Sequence, residues 1–416
     1  MNDLIETFVS LLKYGGMAGA PAPDCSEFGR WDEILRMAVF HNVLPIIYTA
    51  MAEEVVGCNY GAEELQSLKK AVALACVQQG YANHKLSKLL QSLYANGVEA
   101  VLFKGATLAA LYKVPLTRIS CDADLLVRRS DYQKTVEELN AMGFALVKKE
   151  SQEEVKAFVS EDLTIDLHMR LWGDISGRHV WFIEALDIAA YEKAISFDIN
   201  GIEVKTLGYQ EHFLYLLVHM AKHFIIKGAG LRHLLDISLY FNAHREKINV
   251  RELWDVIVNM GFETLYKNVF YICCKYLGMD QSIFSEGAEL DMPEEQVLGV
   301  LFDDIVEGGV FGTTPERSVS FNVVKESYYV GLKKNNKTAL FFHLLFPRAI
   351  ALPKKYLYAR RHTVLLPIAW IHRFFSFFYN RITKKDHLRF FDSVQMANDR
   401  IKLLERLDLV EYSEKE

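Results

Sequence analysis

The 416-residue sequence has no CxxC pair, no apolar run long enough to span a bilayer, no internal repeat of fixed period and no excess of positive charge. Each absence removes a class of protein. The six cysteines (Cys25, Cys58, Cys76, Cys121, Cys273 and Cys274) lack the spacing of a zinc site or a disulfide framework. The adjacent Cys273 and Cys274 read as buried thiols on one helix, all six read as packing residues, and a cytoplasmic location fits. A net charge of −6 argues against a general nucleic-acid binder, so any such surface has to be local. The first residues carry Asp3 and Glu6 where a signal peptide would carry lysines, so no secretory leader is expected. The most hydrophobic stretch, Val364 to Tyr379, is interrupted by Pro367, His372 and Arg373 and falls short of the ~20 apolar residues a spanning helix needs, so no transmembrane segment is expected.

What is present is a chain that is 51% hydrophobic, enough for two or three domains with substantial cores. From Trp31 to Met51 the residues Ile34, Leu35, Ala38, Val39 and Val43 recur at helical spacing, and a second amphipathic run goes from Leu65 to Tyr94 and stops at Gly97. Then the pattern changes. Ala100 to Phe103 reads as a strand, followed by a glycine turn at Lys104-Gly105-Ala106-Thr107 and a brief helix through Tyr112. Cys121 to Val127 reads as a second strand, with Ser130 and Gln133 as a capping box for the next helix. Phe144 to Val147 is a third strand, Ser151 with Glu154 offers another capping box, and Leu163 to His168 alternates as a fourth. A hairpin from Ile195 to Val204 turns at Asn200-Gly201. After Gly208 the pattern is helical again, with Phe213, Leu216, Leu217, Met220 and Phe224 on one stripe. The expected organisation is a helical region over 1–95, an α/β core over 96–206, a helical domain over 207–330 and a basic, aromatic helical region over 331–416.

The chemistry sits in the core. In Asp122-Ala123-Asp124 the carboxylates stand at i and i+2, so on a strand they share one face while Cys121, Ala123 and Leu125 point into the core. Two like charges in one small site call for a cation, and hard, oxygen-seeking Mg²⁺ or Mn²⁺ suits carboxylates. Thr164-Ile165-Asp166-Leu167-His168 repeats the alternation, with Asp166 and His168 opposite the inward Ile165 and Leu167. If this strand pairs beside the first, Asp166 is the third metal ligand. Three carboxylates on neighbouring strands with Gly105 upstream form the layout for two-metal phosphoryl chemistry. Gly105 lets backbone approach a triphosphate, the helix starting near Thr107 offers free N–H groups, and Lys104 and Arg118 are candidate cationic clamps.

These residues carry a resemblance. Leu102-Phe103-Lys104-Gly105, Arg118, Asp122 through Val127 and Ile165-Asp166-Leu167-His168 resemble the uncharacterised nucleotidyltransferase family of the DNA-polymerase-β-like superfamily. Leu216 to His223 and Leu231-Arg232-His233-Leu234-Leu235-Asp236-Ile237 resemble the helical part that follows its catalytic domain, and Trp31 to Pro45 its helical lead-in. The likeness covers residues 25 to 240, with a weaker match at Leu365 to Trp370. It implies an α+β fold, a small mixed-sheet core flanked by N-terminal and C-terminal helical regions. It further implies a nucleoside triphosphate as substrate and an acceptor that is a sugar, an aminoglycoside-like small molecule, a tRNA or a protein. By resemblance Asp122 and Asp124 bind both metals, Asp166 completes one site and orients or deprotonates the acceptor, Gly105 with Thr107 contacts the triphosphate, and His168 and Arg118 support. The family's second glycine or serine is replaced here by Ala106, with Thr107 next.

Two other features compete. His219 and His223 stand one helical turn apart with His212 on nearly the same face, a spacing that suits a nucleotide- or acceptor-lining role, plain packing, or zinc in a rival hydrolase. Met220 stands where the metalloprotease pattern needs Glu. A second rival is a catalytically silent nucleotide- or RNA-binding module on the same fold. Arg232 and Asp236 read as an i, i+4 ion pair. From Arg348 to Arg389 ten Lys or Arg face one acid, Asp386, among many aromatics, which suits either an anionic partner, RNA or membrane, or a helical core ringed by bases.

Overall fold

The computed structural model describes residues 3–147, 154–172, 180–199, 201–226, 228–284, 293–309, 346, 352, 356, 358–359, 362–372 and 399–409, without the side chains of 180–183 and 226. Two compact units emerge. One comprises Met1–His219, Leu231–Glu263 and Val269–Met292; the other comprises Met220–Gly230, Thr264–Asn268 and Pro293–Glu416. Among the described residues no helix is long and apolar enough to cross a membrane.

The first unit opens with helices α1 (Asp3–Gly16), α2 (Trp31–Phe40) and α3 (Leu44–Met51). The helical pattern from Trp31 to Met51 is broken because Asn42 adopts a left-handed φ of 52° and Pro45 occupies the first turn of α3. α1 crosses α3 at Gly15, where a Cβ would stand 2.2 Å from the Ile46 carbonyl oxygen. Helix α4 (Ala62–Ala95) is 34 residues long, and Gly97 follows its end with φ +72°.

A seven-stranded mixed sheet follows, β1 (Val101–Phe103), β2 (Asp122–Leu126), β3 (Ala145–Leu146), β4 (Val155–Val159), β5 (Thr164–His168), β6 (Ile195–Ile199) and β7 (Ile202–Thr206), in the order β3-β4-β5-β2-β1-β7-β6. Short helices α5 (Gly105–Ala109), α6 (Tyr132–Ala141) and α7 (Val180–Glu192) connect them. β2 runs parallel to β5 and antiparallel to β1. The architecture is α+β, as expected.

Alternation decides the two faces of the sheet. Leu102, Ala123, Leu125, Phe158, Ile165 and Leu167 pack with Leu86, Leu89, Leu90 and Leu93 of α4 and Leu139 of α6 into one core. Phe103, Asp122, Asp124, Asp166 and His168 occupy the other face by the same two-residue period.

Three local readings change. Ser130 lies inside a 3-10 turn, Arg129–Asp131, and Asp131 precedes α6 without a side-chain cap. Ser151 lies outside the described residues, and where its capping box called for a helix the chain forms β4, since Ala157 and Phe158 are buried in a strand hydrogen-bonded on both sides. Cys121 is exposed rather than inward. Asn200 and most of the glycine-rich segment 308–315 fall outside the described residues; Gly201 has φ +79°.

Beyond the sheet come α8 (Tyr209–Ile226), α9 (Leu231–His244), α10 (Val250–Asn259), α11 (Glu263–Leu277) and α12 (Glu295–Gly308). Phe213, Leu216, Leu217, Met220 and Phe224 of α8 are all buried, as the spacing requires. In the second unit Arg400 pairs with Asp304 and donates to the Phe224 carbonyl, and Leu352, Tyr356, Ala359 and Ala369 form a small cluster. All ten basic residues of the 348–389 stretch lie outside the described residues.

Candidate active site

The parallel pairing of β2 and β5 sets Asp124 directly opposite Asp166 and Asp122 opposite Thr164. Residues opposite each other in a ladder project to the same side, so the three carboxylates share one face of two adjacent central strands. Tyr215 of α8 is buried across from them. Burial raises its hydroxyl pKa well above 10, and the charges of Asp124, Asp122 and Asp166 add to the rise. One tyrosine thus senses all three acids.

Asp124 is the most enclosed of the three, 4% exposed. Its Oδ2 accepts from Lys104 Nζ at 3.0 Å and its Oδ1 lies 3.1 Å from His168 Nε2. Burial favours the neutral acid, but the Lys104 ammonium and the His168 contact outweigh it and hold the carboxyl below the usual range. His168 Nδ1 is buried without a hydrogen-bond partner. Its ring stands edge-on to Phe103, which meets Tyr215 at 4.9 Å, and Tyr215 stacks on Trp172 at 4.6 Å. Lys104 is therefore brought to the carboxylates, by the antiparallel register that sets Phe103 against Asp124.

The turn after β1 is unusual in its backbone. Lys104 has φ 62° and ψ −148°, a conformation that belongs almost entirely to glycine, and Gly105 follows at φ +31°. A non-glycine residue there costs on the order of 1–3 kcal/mol and persists only where its surroundings impose it. A Cβ at Gly105 would meet the Asp122 carbonyl at 3.5 Å and Ser120 Oγ at 3.6 Å. The Thr107 hydroxyl is buried and donates to the Lys104 carbonyl at 2.7 Å, so it secures the turn from within. The helix that follows begins at Gly105 and ends at Ala109, too short for its dipole to contribute much.

Arg118 is placed differently from a solvent-facing clamp. It is 5% exposed, and its Nε and Nη2 donate to Asp236 Oδ1 and Oδ2, both at 2.8 Å. Its Nη1 reaches the Gly105 carbonyl at 3.0 Å and Ser120 Oγ at 2.7 Å. Asp236 is thus bound by Arg118 from a distant loop, while Arg232 donates to the Ile119 carbonyl at 2.8 Å. Sequence reasoning missed Asp236 as part of the site; a lone carboxylate in the apolar run Leu234-Leu235-Asp236-Ile237 was the signal. Tyr215 gave none, since it sits in an apolar helix among other buried residues.

The three histidines of α8 have different surroundings. His212 Nε2 accepts from the Lys104 backbone N–H at 3.1 Å. Burial, with the charges of His244 and Arg118, pushes its pKa down to about 3, so at neutral pH it is a neutral acceptor. His219 packs near Trp172, Tyr215 and His233. His223 belongs to the other compact unit. Among the described residues no three His, Cys, Asp or Glu side chains stand as a ready-formed metal nest.

This face of the sheet, with the segments on either side of it, matches a known sequence profile, that of the uncharacterised nucleotidyltransferases, over residues 29–278, well over half the chain. The chain belongs to this family. Nucleotidyl transfer is accordingly the activity class of its core. Among solved structures it is similar to the antibiotic-resistance factor ANT(2'')-Ia, at 12% identity over 46% of this chain and 97% of that one, with a TM-score of 0.33. It is also similar to an antigenic nucleotidyltransferase-like protein from Paracoccidioides brasiliensis, at 13% identity over 50% of this chain and 97% of that one, with the same TM-score of 0.33. No curated protein matches the sequence.

Proposed function

We propose that the protein transfers a nucleoside monophosphate from a nucleoside triphosphate to an acceptor hydroxyl or phosphate on a small molecule, a tRNA or a protein, and releases pyrophosphate. The observation that carries this reading is the register that sets Asp124 beside Asp166, with Asp122 two residues away on the same face. An all-oxygen, triply acidic donor set is the chemistry a hard divalent cation requires, and Asp122, Asp124 and Asp166 are the residues that would hold it. When bound, Mg²⁺ or Mn²⁺ neutralises triphosphate charge and acidifies the acceptor oxygen.

The rest falls to the chain. The Lys104–Gly105 turn, both residues at positive φ, offers backbone to the triphosphate. Lys104, released from Asp124, supplies an ammonium to phosphate oxygens. Asp166 orients the acceptor and takes its proton while the acceptor oxygen bonds to the α-phosphorus. The bond from that phosphorus to the bridging oxygen breaks, and pyrophosphate leaves with the electron pair. His168 holds Asp124 in place through Nε2.

The test is a thermal-shift screen of the four NTPs with Mg²⁺, followed by transfer from α-labelled nucleotide to candidate acceptors. A shift with labelling that vanishes in Asp122→Ala is the expected result. A shift with no labelling of any acceptor class overturns the enzymatic reading in favour of a silent nucleotide-binding module.

A further inference from the structure

The strained turn is held from outside the sheet. Lys104 and Gly105 lie consecutively at positive φ, and each is fastened by a buried group anchored on a helix that follows the sheet. On one side the Lys104 N–H donates to His212 Nε2 of α8 at 3.1 Å. On the other the Gly105 carbonyl accepts from Arg118 Nη1 at 3.0 Å, and that guanidinium is locked by two 2.8 Å hydrogen bonds to Asp236 of α9. Tyr112 adds a third hydrogen bond to Asp236 Oδ1 at 2.7 Å. His212, Arg118 and Asp236 are 2%, 5% and 7% exposed.

A buried ion pair is a poor way to gain stability, because desolvation offsets most of the attraction and apolar replacements of similar volume serve as well or better. What such a pair does supply is direction. With both carboxylate oxygens fixing Nε and Nη2, Nη1 is held where it donates to the Gly105 carbonyl and to Ser120 Oγ. The bent backbone in turn needs its surroundings to impose it.

We propose that His212 and the Arg118–Asp236 pair are positioning residues for the nucleotide: from α8 and α9 they hold the Lys104–Gly105 turn in the shape that receives the triphosphate. The helical segment after the sheet is then a working part of the site. This rests on the reading of that turn as the triphosphate cradle.

The test uses the full chain, with inorganic tripolyphosphate plus Mg²⁺ as the phosphate probe, Mn²⁺ alone as the metal probe, and thermal unfolding as the check on folding. The double variant Arg118→Met with Asp236→Leu exchanges the pair for apolar volume and should fold with a modestly lowered melting temperature, because the buried Tyr112 hydroxyl loses its acceptor. Its tripolyphosphate affinity should fall about tenfold or more while its Mn²⁺ affinity stays within about threefold. His212→Phe removes the acceptor and should lose about tenfold for the same probe, whereas His212→Gln, which returns an acceptor atom, should recover most of it. A merely structural role would lower the melting temperature without separating the two probes and without rescue by Gln. Gly105→Val tells the two ideas apart. If it weakens tripolyphosphate binding while the double variant and His212→Phe bind like the parent, the positioning proposal is overturned and the cradle stands. If Gly105→Val itself binds like the parent, the cradle reading falls and the proposal with it. Should the double variant fail to fold, the Phe and Gln pair decides alone, and equal affinity in the two overturns the proposal.

Discussion

Lys104→Met offers a direct look at how the most buried carboxylate of the acidic face is counterbalanced. The ammonium lies 3.0 Å from Asp124 Oδ2, with side-chain exposures of 19% and 6%, so the pair is largely removed from solvent. At an effective dielectric constant of about 20, two unit charges at this distance attract by about 5.5 kcal/mol. A cation that takes Asp124 as a ligand has to give up that attraction, and methionine, of similar length and apolar reach, removes the competition. If a quarter to a third of the attraction opposes cation binding, its loss raises the affinity for Mn²⁺ alone about tenfold. The metal-free protein should suffer, because removing one partner of a buried pair costs about 3–5 kcal/mol, less whatever His168 continues to supply. Saturating Mn²⁺ should restore most of this by linkage. Isothermal titration with Mn²⁺, and melting curves with and without it, read both effects. Unchanged Mn²⁺ affinity and an unchanged metal-free melting temperature would refute the argument, since Lys104 would then not be the counter-ion of Asp124.

Four further expectations concern other parts of the site. Asp122→Ala should lower nucleotidyl transfer by orders of magnitude with the melting temperature unchanged or slightly higher, and near-parent turnover in a radiolabel assay would contradict the ligand assignment. Thr107→Ala removes the bond to the Lys104 carbonyl and should cost about 1 kcal/mol in chemical denaturation; no change would mean that the turn is secured elsewhere. Burial favours a neutral Asp236, but Arg118 holds its carboxyl below the usual range. In the acid window the unfolded chain therefore binds more protons than the folded one, and this group's contribution is present above about pH 4 and lost as pH falls further. Melting temperatures from pH 5 to pH 3 should drop less steeply in the Arg118→Met, Asp236→Leu double variant, and parallel curves count against the assignment. Replacing Arg360, Arg361, Lys384 and Lys385 by Ser should reduce any low-salt binding to tRNA or anionic vesicles without altering NTP affinity, and absence of such binding in the parent protein favours a packing role for the stretch.

The carboxylate triad was legible because a strand has a period of two. Asp122-Ala123-Asp124 and Ile165-Asp166-Leu167 each declare which side is apolar, and Ala123, Leu125, Ile165 and Leu167 lie in the core as that pattern demands. The framework of helices around the sheet was legible for the same kind of reason. What escaped were effects that local patterns do not carry. The split between α2 and α3 depends on one left-handed asparagine, Asn42. β4 was hidden behind a capping pattern, because pairing on both edges overrides what a few residues prefer. Asp236 was read with its neighbour Arg232, whereas the carboxylate is taken by the two-pronged Arg118 from 118 residues away. No spacing rule reaches that far.

The manner in which the glycine turn is fastened has a consequence for folding and for truncation. Every strand of the sheet and all three acidic residues are present by residue 206, so the chain up to that point looks like a minimal catalytic module. Yet a fragment ending there would have a buried guanidinium at Arg118 with its counter-ion missing and a Lys104 amide with its acceptor missing, since Asp236 and His212 come later. The parallel pairing of β1 with β7, Val101 to Lys205, already makes this sheet a slow, long-range assembly. On the proposed positioning role, the turn's fastening is complete during synthesis only once Asp236 has emerged, about thirty residues after the last strand. Excising the sheet as a smaller enzyme would therefore keep the acids and lose the shape beside them.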